Sequence, residues 1–152
     1  MGGISGHTTL FMFPLLLQER DVYYCMIRVA IADDHPEMRV ALRLLLNLSN
    51  SIEIICETSN GQEAVDCVKN LEPDVLVMDV RMPTLNGFEA TKQIVDLSSK
   101  TRVILMSADK GTTMAKNAAS VGAQGYLPKD NLAETLLNAI EIVHRGESIF
   151  VE

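Results

Sequence analysis

Along residues 26–152, short apolar runs alternate with longer stretches in which apolar residues recur every three or four positions. The runs IRVAIA, IEIICE, DVLVM, RVILM and AQGYLP are rich in Val, Ile and Leu, and read as strands buried on both faces. The pattern predicts strands at 27–32, 52–57, 74–78, 102–106 and 124–127, and helices at about 36–48, 61–70, 87–97, 111–121 and 131–145. Asp34 is placed to cap the first helix with Pro36 in its first turn, and Asn60 with Glu63 resembles a capping box. The last helix starts in the same manner after Asp130 and stops before Gly146, a left-handed terminator. Its Leu132, Leu136, Leu137, Ile140 and Val143 recur at helical spacing and share one apolar face.

Strands that alternate with helices predict an α/β, flavodoxin-like, doubly wound five-stranded parallel sheet of order 2-1-3-4-5 with five helices. Ligands of such a sheet bind beyond the carboxyl ends of the strands, and four of the runs end there on polar residues. Those endings are Asp33 with Asp34, then Asp79, Ser107 and Lys129. In this strand order the first and third strands are neighbours, so the acidic pair faces Asp79 across one crevice although the residues are far apart in sequence. Three crowded carboxylates repel one another and call for a cation. Mg²⁺ suits them because it takes hard oxygen ligands, keeps several waters and bridges to phosphate oxygens. Its two positive charges and that of Lys129 balance the three carboxylates.

Taken singly, each residue has a plainer reading. Asp34 serves as a helix cap, Ser107 as a strand-end turn residue, Lys129 as a solvated cation and Tyr126 as an edge aromatic. His35 adjoins the acids, yet its side chain is expected to point away along the start of the helix as a surface residue. The functional reading rests on all the endings occurring in one topology.

Composition narrows the classes. With 47% hydrophobic and 22% charged residues in 152, the chain has the make-up of one soluble globular domain. A formal charge of -7, from 13 Lys and Arg against 20 Asp and Glu, opposes direct nucleic-acid binding, which needs a basic surface. Cys25, Cys56 and Cys67 form no CxxC pair and no even disulfide framework, so a reducing, cytoplasmic compartment is expected. Residues 1–25 read as a separate N-terminal extension without periodicity. Their apolar stretch TLFMFPLLL is about half the length that spans a bilayer and lacks the flanks of a signal peptide, so no membrane partner is expected. As a short docking element or as a leader outside the folded unit, this extension stays open.

Five motifs carry a family resemblance across residues 26–152: IADDHP, VMDVRMPTLNG, LMSA, GAQGYLPKD and the closing L-x-x-A-I helix. Together they resemble the receiver domain of a bacterial two-component response regulator. DDHP, GAQGYLPK and the ending AIEIVHRGESIF are similar to the LuxR-type (NarL/FixJ) subfamily. The resemblance implies that Asp79 accepts a phosphoryl group from a sensor histidine kinase. Asp34, Asp79 and the backbone carbonyl of Arg81 would ligate Mg²⁺, with Asp33 acting through a metal-bound water. Lys129 would hold a phosphoryl oxygen, Ser107 would bond another after phosphorylation, and Tyr126 would follow Ser107 inward. Pro128 resembles the family's cis-proline position, and Gly87 after Asn86 permits the tight loop behind Asp79.

The implied partners are the kinase and a second copy of the chain, a homodimer formed on phosphorylation. DNA would be reached only through a C-terminal module after Glu152, and the alternative is a stand-alone receiver acting by protein contacts. Phosphoryl transfer to itself is regulatory chemistry, not turnover. Two other classes fit less well. A haloacid-dehalogenase-type phosphatase uses D-x-D, and here Arg81 occupies the second acidic position. Flavin binding needs a phosphate-cradling loop after the first strand, where DDHPEM would repel phosphate.

Overall fold

The computed structural model describes residues 25–97 and 100–152. Strands β1 (Ile27–Ala32), β2 (Ile52–Thr58), β3 (Val75–Asp79), β4 (Arg102–Ser107), β5 (Gly125–Pro128) and β6 (Ile149–Phe150) form one sheet. Helices α1 (Pro36–Leu46), α2 (Gly61–Leu71), α3 (Gly87–Asp96), α4 (Thr112–Ser120) and α5 (Leu132–His144) connect them. Every pairing is parallel, in the order β2-β1-β3-β4-β5-β6. The predicted order 2-1-3-4-5 is present, and the element bounds fall within two residues of those read from the sequence.

The sheet has six strands, one more than predicted. The segment after α5 returns as β6, where Ile149 N donates to Gln124 O and Val151 N to Tyr126 O. Two residues are too short to show a period, but they pair backbone groups that β5 would otherwise leave open at its edge.

Side-chain alternation divides the core into two layers. Val75 and Val77 of β3 pack with Leu42, Leu46, Leu136, Ile140 and Val143 under α1 and α5. Leu76 and Met78 face the other way, with Ala64, Val65, Val68, Ala90, Ile94 and Ala118 under α2, α3 and α4. Cys67 lies in this second layer with Cys56 packed against it. Burial, together with the neighbouring Cys56 thiol, pushes the Cys67 thiol up to about 12, which suppresses its thiolate.

The helix ends correct several expectations. Asp34 does not cap α1; the N-cap is His35, whose backbone N–H donates to Asp33 Oδ1 at 2.9 Å. Asn60 caps α2 through Glu63 N as predicted, while the Glu63 carboxylate reaches back to Ser59 N instead of Asn60 N. Asp130 does not cap α5. It lies in a single 3₁₀ turn, Lys129–Asn131, and pairs with Lys110. Gly146 has φ +97 and ends α5 as expected, with Glu147 N donating to Ile142 O. No cis peptide bond occurs among the described residues, and Pro128 is an ordinary extended residue at φ -63 and ψ 141.

Cys25 is exposed, whereas the expectations for residues 1–24 lie outside the described residues. Among the described residues no helix is long and apolar enough to cross a membrane.

Candidate functional site

Strand register brings the acids together. Ala32 of β1 pairs with Met78 of β3, so the next residues, Asp33 and Asp79, come level at the carboxyl edge. Asp79 in turn pairs with Met106 and Ser107 with Pro128, which sets Ser107 one step further out at the end of β4 and Lys129 one step beyond that, just past β5. Asp33 is 0% exposed and Asp79 only 4%. Ligand-capable atoms of Asp33, Asp34, His35 and Asp79 all lie within 4.8 Å of one another.

Lys129 joins two of these acids. Its Nζ donates to Asp33 Oδ2 at 2.8 Å and stands 3.1 Å from Asp79 Oδ2. Burial works against its charge, but the Asp33 hydrogen bond and the charges of Asp79 and Asp33 outweigh that and raise the ammonium above the ordinary lysine range. Burial also pushes the Asp79 carboxyl up, against the pull of Lys129. Asp79 thus sits in a pocket that solvates its charge poorly and that favours added positive charge.

His35 departs from expectation. Its Nδ1 lies 3.1 Å from Asp33 Oδ1 and from Asp34 Oδ1, so the ring turns back to the acids instead of away from them. The hydrogen bond to Asp33, then the charge of Asp34, raises the imidazole above its usual range. That bond leaves Asp34 Oδ1 buried with no hydrogen-bond partner. A buried carboxylate oxygen without a donor, beside two other carboxylates, fits a hard divalent cation. Three carboxylates and one ammonium leave two negative charges, which one Mg²⁺ would cancel. The all-oxygen acids favour Mg²⁺ over softer metals, with His35 at the rim.

The loop behind Asp79 is tightly built. Arg81 N donates to Asp79 Oδ1 at 3.3 Å, and Gly87 N donates to Val80 O at 2.8 Å. A Cβ on Gly87 would lie 2.4 Å from the Asp79 carbonyl oxygen, so only glycine closes this loop as predicted. Within the loop Thr84 has φ +69, and Leu85 N donates across it to Pro83 O. This strained three-residue turn has no signal in the sequence.

At the opposite wall Ser107 is buried, and its Oγ accepts from Asp109 N at 3.1 Å. Tyr126 is wholly buried, and its hydroxyl donates to the Asp109 carbonyl. The plainer reading of Tyr126 as an edge aromatic is therefore wrong, and the ring already lies inward in this structure. Arg81 and Asp109 form an ion pair between the loops after β3 and β4. Sequence reasoning missed the Lys110–Asp130 pair, and also Arg39, whose Nη1 donates to Asp33 O at 2.7 Å. Lys110 and Arg39 belong to no motif, and Asp130, which closes GAQGYLPKD, was read only as a helix start; only the fold brings their partners near.

The profile of the response regulator receiver domain family matches residues 29–141. Over 121 residues the chain is 40% identical to the transcriptional regulatory protein LnrK of Bacillus subtilis, covering 80% of this chain and 55% of that protein. It is 38% identical over 125 residues to the transcriptional regulatory protein DesR of the same organism, covering 82% of this chain and 62% of DesR. The chain thus spans just over half the length of these curated relatives. Among solved structures, the signal receiver domain of a NarL response regulator from Mycobacterium tuberculosis superposes with a TM-score of 0.77 at 31% identity, covering 80% of this chain and 98% of that one. A LuxR-family two-component response regulator from Aurantimonas gives 0.78 at 29%, covering 82% and 89%. Site geometry, family profile and relatives agree: the chain belongs to the response regulator receiver domain family, and its relatives are response regulators of the NarL/LuxR type.

Proposed function

We propose that the chain is the phosphorylation-controlled switch of a two-component system and that Asp79 accepts the phosphoryl group. The observation that carries this reading is the Lys129 ammonium between Asp33 and Asp79, beside a buried Asp34 oxygen that lacks a donor. An Asp79 carboxylate oxygen attacks the phosphorus of a phosphohistidine in line. The new O–P bond forms as the N–P bond breaks, and the bonding pair returns to the histidine nitrogen, which takes up a proton. Lys129 stabilises negative charge on the transferring phosphoryl oxygens, and Arg81 N steadies the attacking carboxylate. A bound Mg²⁺, held by Asp34 and Asp79 with the Arg81 carbonyl and with Asp33 through water, would supply neutralisation of the phosphoryl charge. Ser107, at the end of the neighbouring strand β4, would bond one of the phosphoryl oxygens afterward. Mass spectrometry of the intact chain after treatment with phosphoramidate and Mg²⁺ tests this assignment.

The phosphodonor is a sensor histidine kinase, and the output is a change in protein contacts, including homodimer formation. The names of the relatives support transcriptional control through a DNA-binding module of a longer protein, with a stand-alone receiver as the alternative. The free thiols accord with a cytoplasmic location.

Magnesium should stabilise the fold through the acidic cluster. At tenfold excess over its dissociation constant, the linkage gain is about 1.4 kcal/mol, or a rise of about 3–5 °C in melting temperature. Asp34→Asn should remove most of that gain in calorimetry. An equal rise in the variant would place the cation elsewhere.

The Arg81–Asp109 pair spans the pocket mouth with side chains 77% and 42% exposed. Such a pair adds only about 0–1 kcal/mol to stability, but a barrier change of that size alters a rate up to about fivefold. Closing the mouth hinders the in-line approach of water to the acyl phosphate. Arg81→Ala and Asp109→Ala should each speed phosphoryl loss about two- to fivefold, with the double variant no faster than the quicker single one. Additive rates in the decay of the phosphorylated mass would make the two charges independent.

A further inference from the structure

Strand β2 changes face partway along its length. Ile52 and Ile54 pair with Ile27 and Val29, and all four belong to the layer under α1 and α5. Strict alternation from Ile54 would turn residue 56 to that same side. Instead the register shifts between Val29 and Ala30, Ile55 is left over, and Cys56 comes level with Ala30 in the layer under α2. A bulge of this kind re-aims the side chain that follows it. Here it turns Cys56 toward Cys67 of α2, whose thiol is raised by burial first and then by the Cys56 thiol beside it. The two cysteines line one cleft of about 420 Å³ together with Thr58, Glu63 and Asp66.

We propose that Cys56 and Cys67 are an oxidisable dithiol, closed to an intramolecular disulfide by a hydroperoxide. Cys56 is half-buried and Cys67 is 6% exposed, so the oxidant meets Cys56 first. The Cys56 sulfur attacks a peroxide oxygen; an S–O bond forms as the O–O bond breaks, and the departing oxygen takes the thiol proton and leaves as water. Cys67 then attacks the Cys56 sulfur. The S–S bond forms, the S–O bond breaks, and the hydroxyl leaves with the Cys67 proton as a second water. Two thiols lose two electrons and one hydrogen peroxide gains them. Cys67 suits the second step, since a thiol held protonated is inert to outside reagents yet has a proton for the leaving hydroxyl. Glu63 and Asp66 make the cleft acidic, which favours an uncharged oxidant over an anionic one.

Both cysteine-bearing elements support the acidic pocket. Two residues beyond Cys56, the Thr58 carbonyl accepts from Asp33 N at 3.1 Å. At the start of α2, Gly61 N donates to Leu85 O at 3.0 Å, in the loop behind Asp79. The approach there is close, for a Cβ on Gly61 would lie 2.1 Å from that oxygen. A covalent S–S bond is shorter than a contact between two thiols, so closing it draws β2 and α2 together. That displaces Asp33 and the loop behind Asp79, and the oxidised chain accepts a phosphoryl group more slowly. This consequence rests on the reading of Asp79 as phosphoacceptor; the dithiol itself does not.

The full 152-residue chain carrying Cys25→Ser, which removes an exposed thiol, tests both parts. After hydrogen peroxide, intact-mass spectra should show a monomer lighter by two hydrogens, and peptide mapping should join Cys56 to Cys67. Dithiothreitol should reverse the change. Cys67→Ala should instead leave Cys56 as a sulfenic acid that dimedone traps, and Cys56→Ser should leave Cys67 a free thiol at the same dose. Both thiols still free after peroxide, Cys56 oxidised beyond sulfenic acid without linkage, or a link only between separate copies overturns the proposal. The oxidised chain should label with phosphoramidate and Mg²⁺ at least about threefold more slowly than the same chain after reduction. Equal rates support the dithiol and overturn its coupling to the pocket. Absence of labelling in the reduced chain rejects the phosphoacceptor reading separately.

Discussion

Replacing Asp79 with Asn is expected to abolish phosphoryl incorporation. Wild-type chain incubated with phosphoramidate or acetyl phosphate and Mg²⁺ should gain one phosphoryl group that is labile to hydroxylamine, and chelation of the metal should suppress it. The amide keeps the volume of the carboxyl but is not a nucleophile toward phosphorus, so the loss should be complete. The same change removes a carboxylate whose ionisation burial opposes, and leaves Lys129 still paired with Asp33. Asp79→Asn should therefore fold at least as stably as the wild type, gaining about 1 kcal/mol from relief of repulsion. Loss of labelling in a stable fold separates chemistry from unfolding. Undiminished labelling in intact-mass spectra would move the phosphoacceptor elsewhere.

Lys129→Met should have the largest effect on stability. Lys129 is the only cation within ion-pair distance of both Asp33 and Asp79 among the described residues, and Asp33 is wholly buried. Methionine fills much of the same space but leaves two acids beside Asp34 without that charge. Breaking a buried pair in this way costs about 3 kcal/mol, the low end of the usual range because one side of the pocket is open. The melting temperature should fall on the order of 10 °C without Mg²⁺. Added Mg²⁺ should restore a larger share of stability to the variant than it adds to the wild type, since the cation then compensates more uncancelled charge. The rate of phosphorylation should stay low even with Mg²⁺, because a metal at the acids does not replace the ammonium on the third phosphoryl oxygen. Calorimetry and labelling time courses with and without Mg²⁺ check both arms. Equal stability of the variant and the wild type in chelator would show that Lys129 does not hold the acids together.

The sequence by itself determined the layers and the main chemical groups. Apolar runs such as IRVAIA and DVLVM cannot be left in water, and polar residues at their ends must emerge at one edge of a parallel sheet. Hence Asp33, Asp34, Asp79, Ser107 and Lys129 were legible before any coordinates. So was Gly87, because the turn behind Asp79 has no space for a side chain.

What only the tertiary structure decided are pairings between residues distant in sequence or short of a pattern. The two residues of β6 have no period to read and become a strand because β5 offers an open row of backbone groups. His35 was expected to point away as a surface residue, but the potential of two adjacent acids draws it back. Asp34 and Asp130 looked like caps because each precedes a helix. One is held in the acidic cluster and the other pairs with Lys110, since these electrostatic partners compete with the local backbone. Tyr126 could face solvent or core on its sequence alone. Its burial follows from the Asp109 carbonyl, which the loop after β4 presents to the phenol hydroxyl inside the fold. Local periodicity records which face of an element avoids water, whereas charge pairing and edge pairing depend on distances that exist only once the chain has closed.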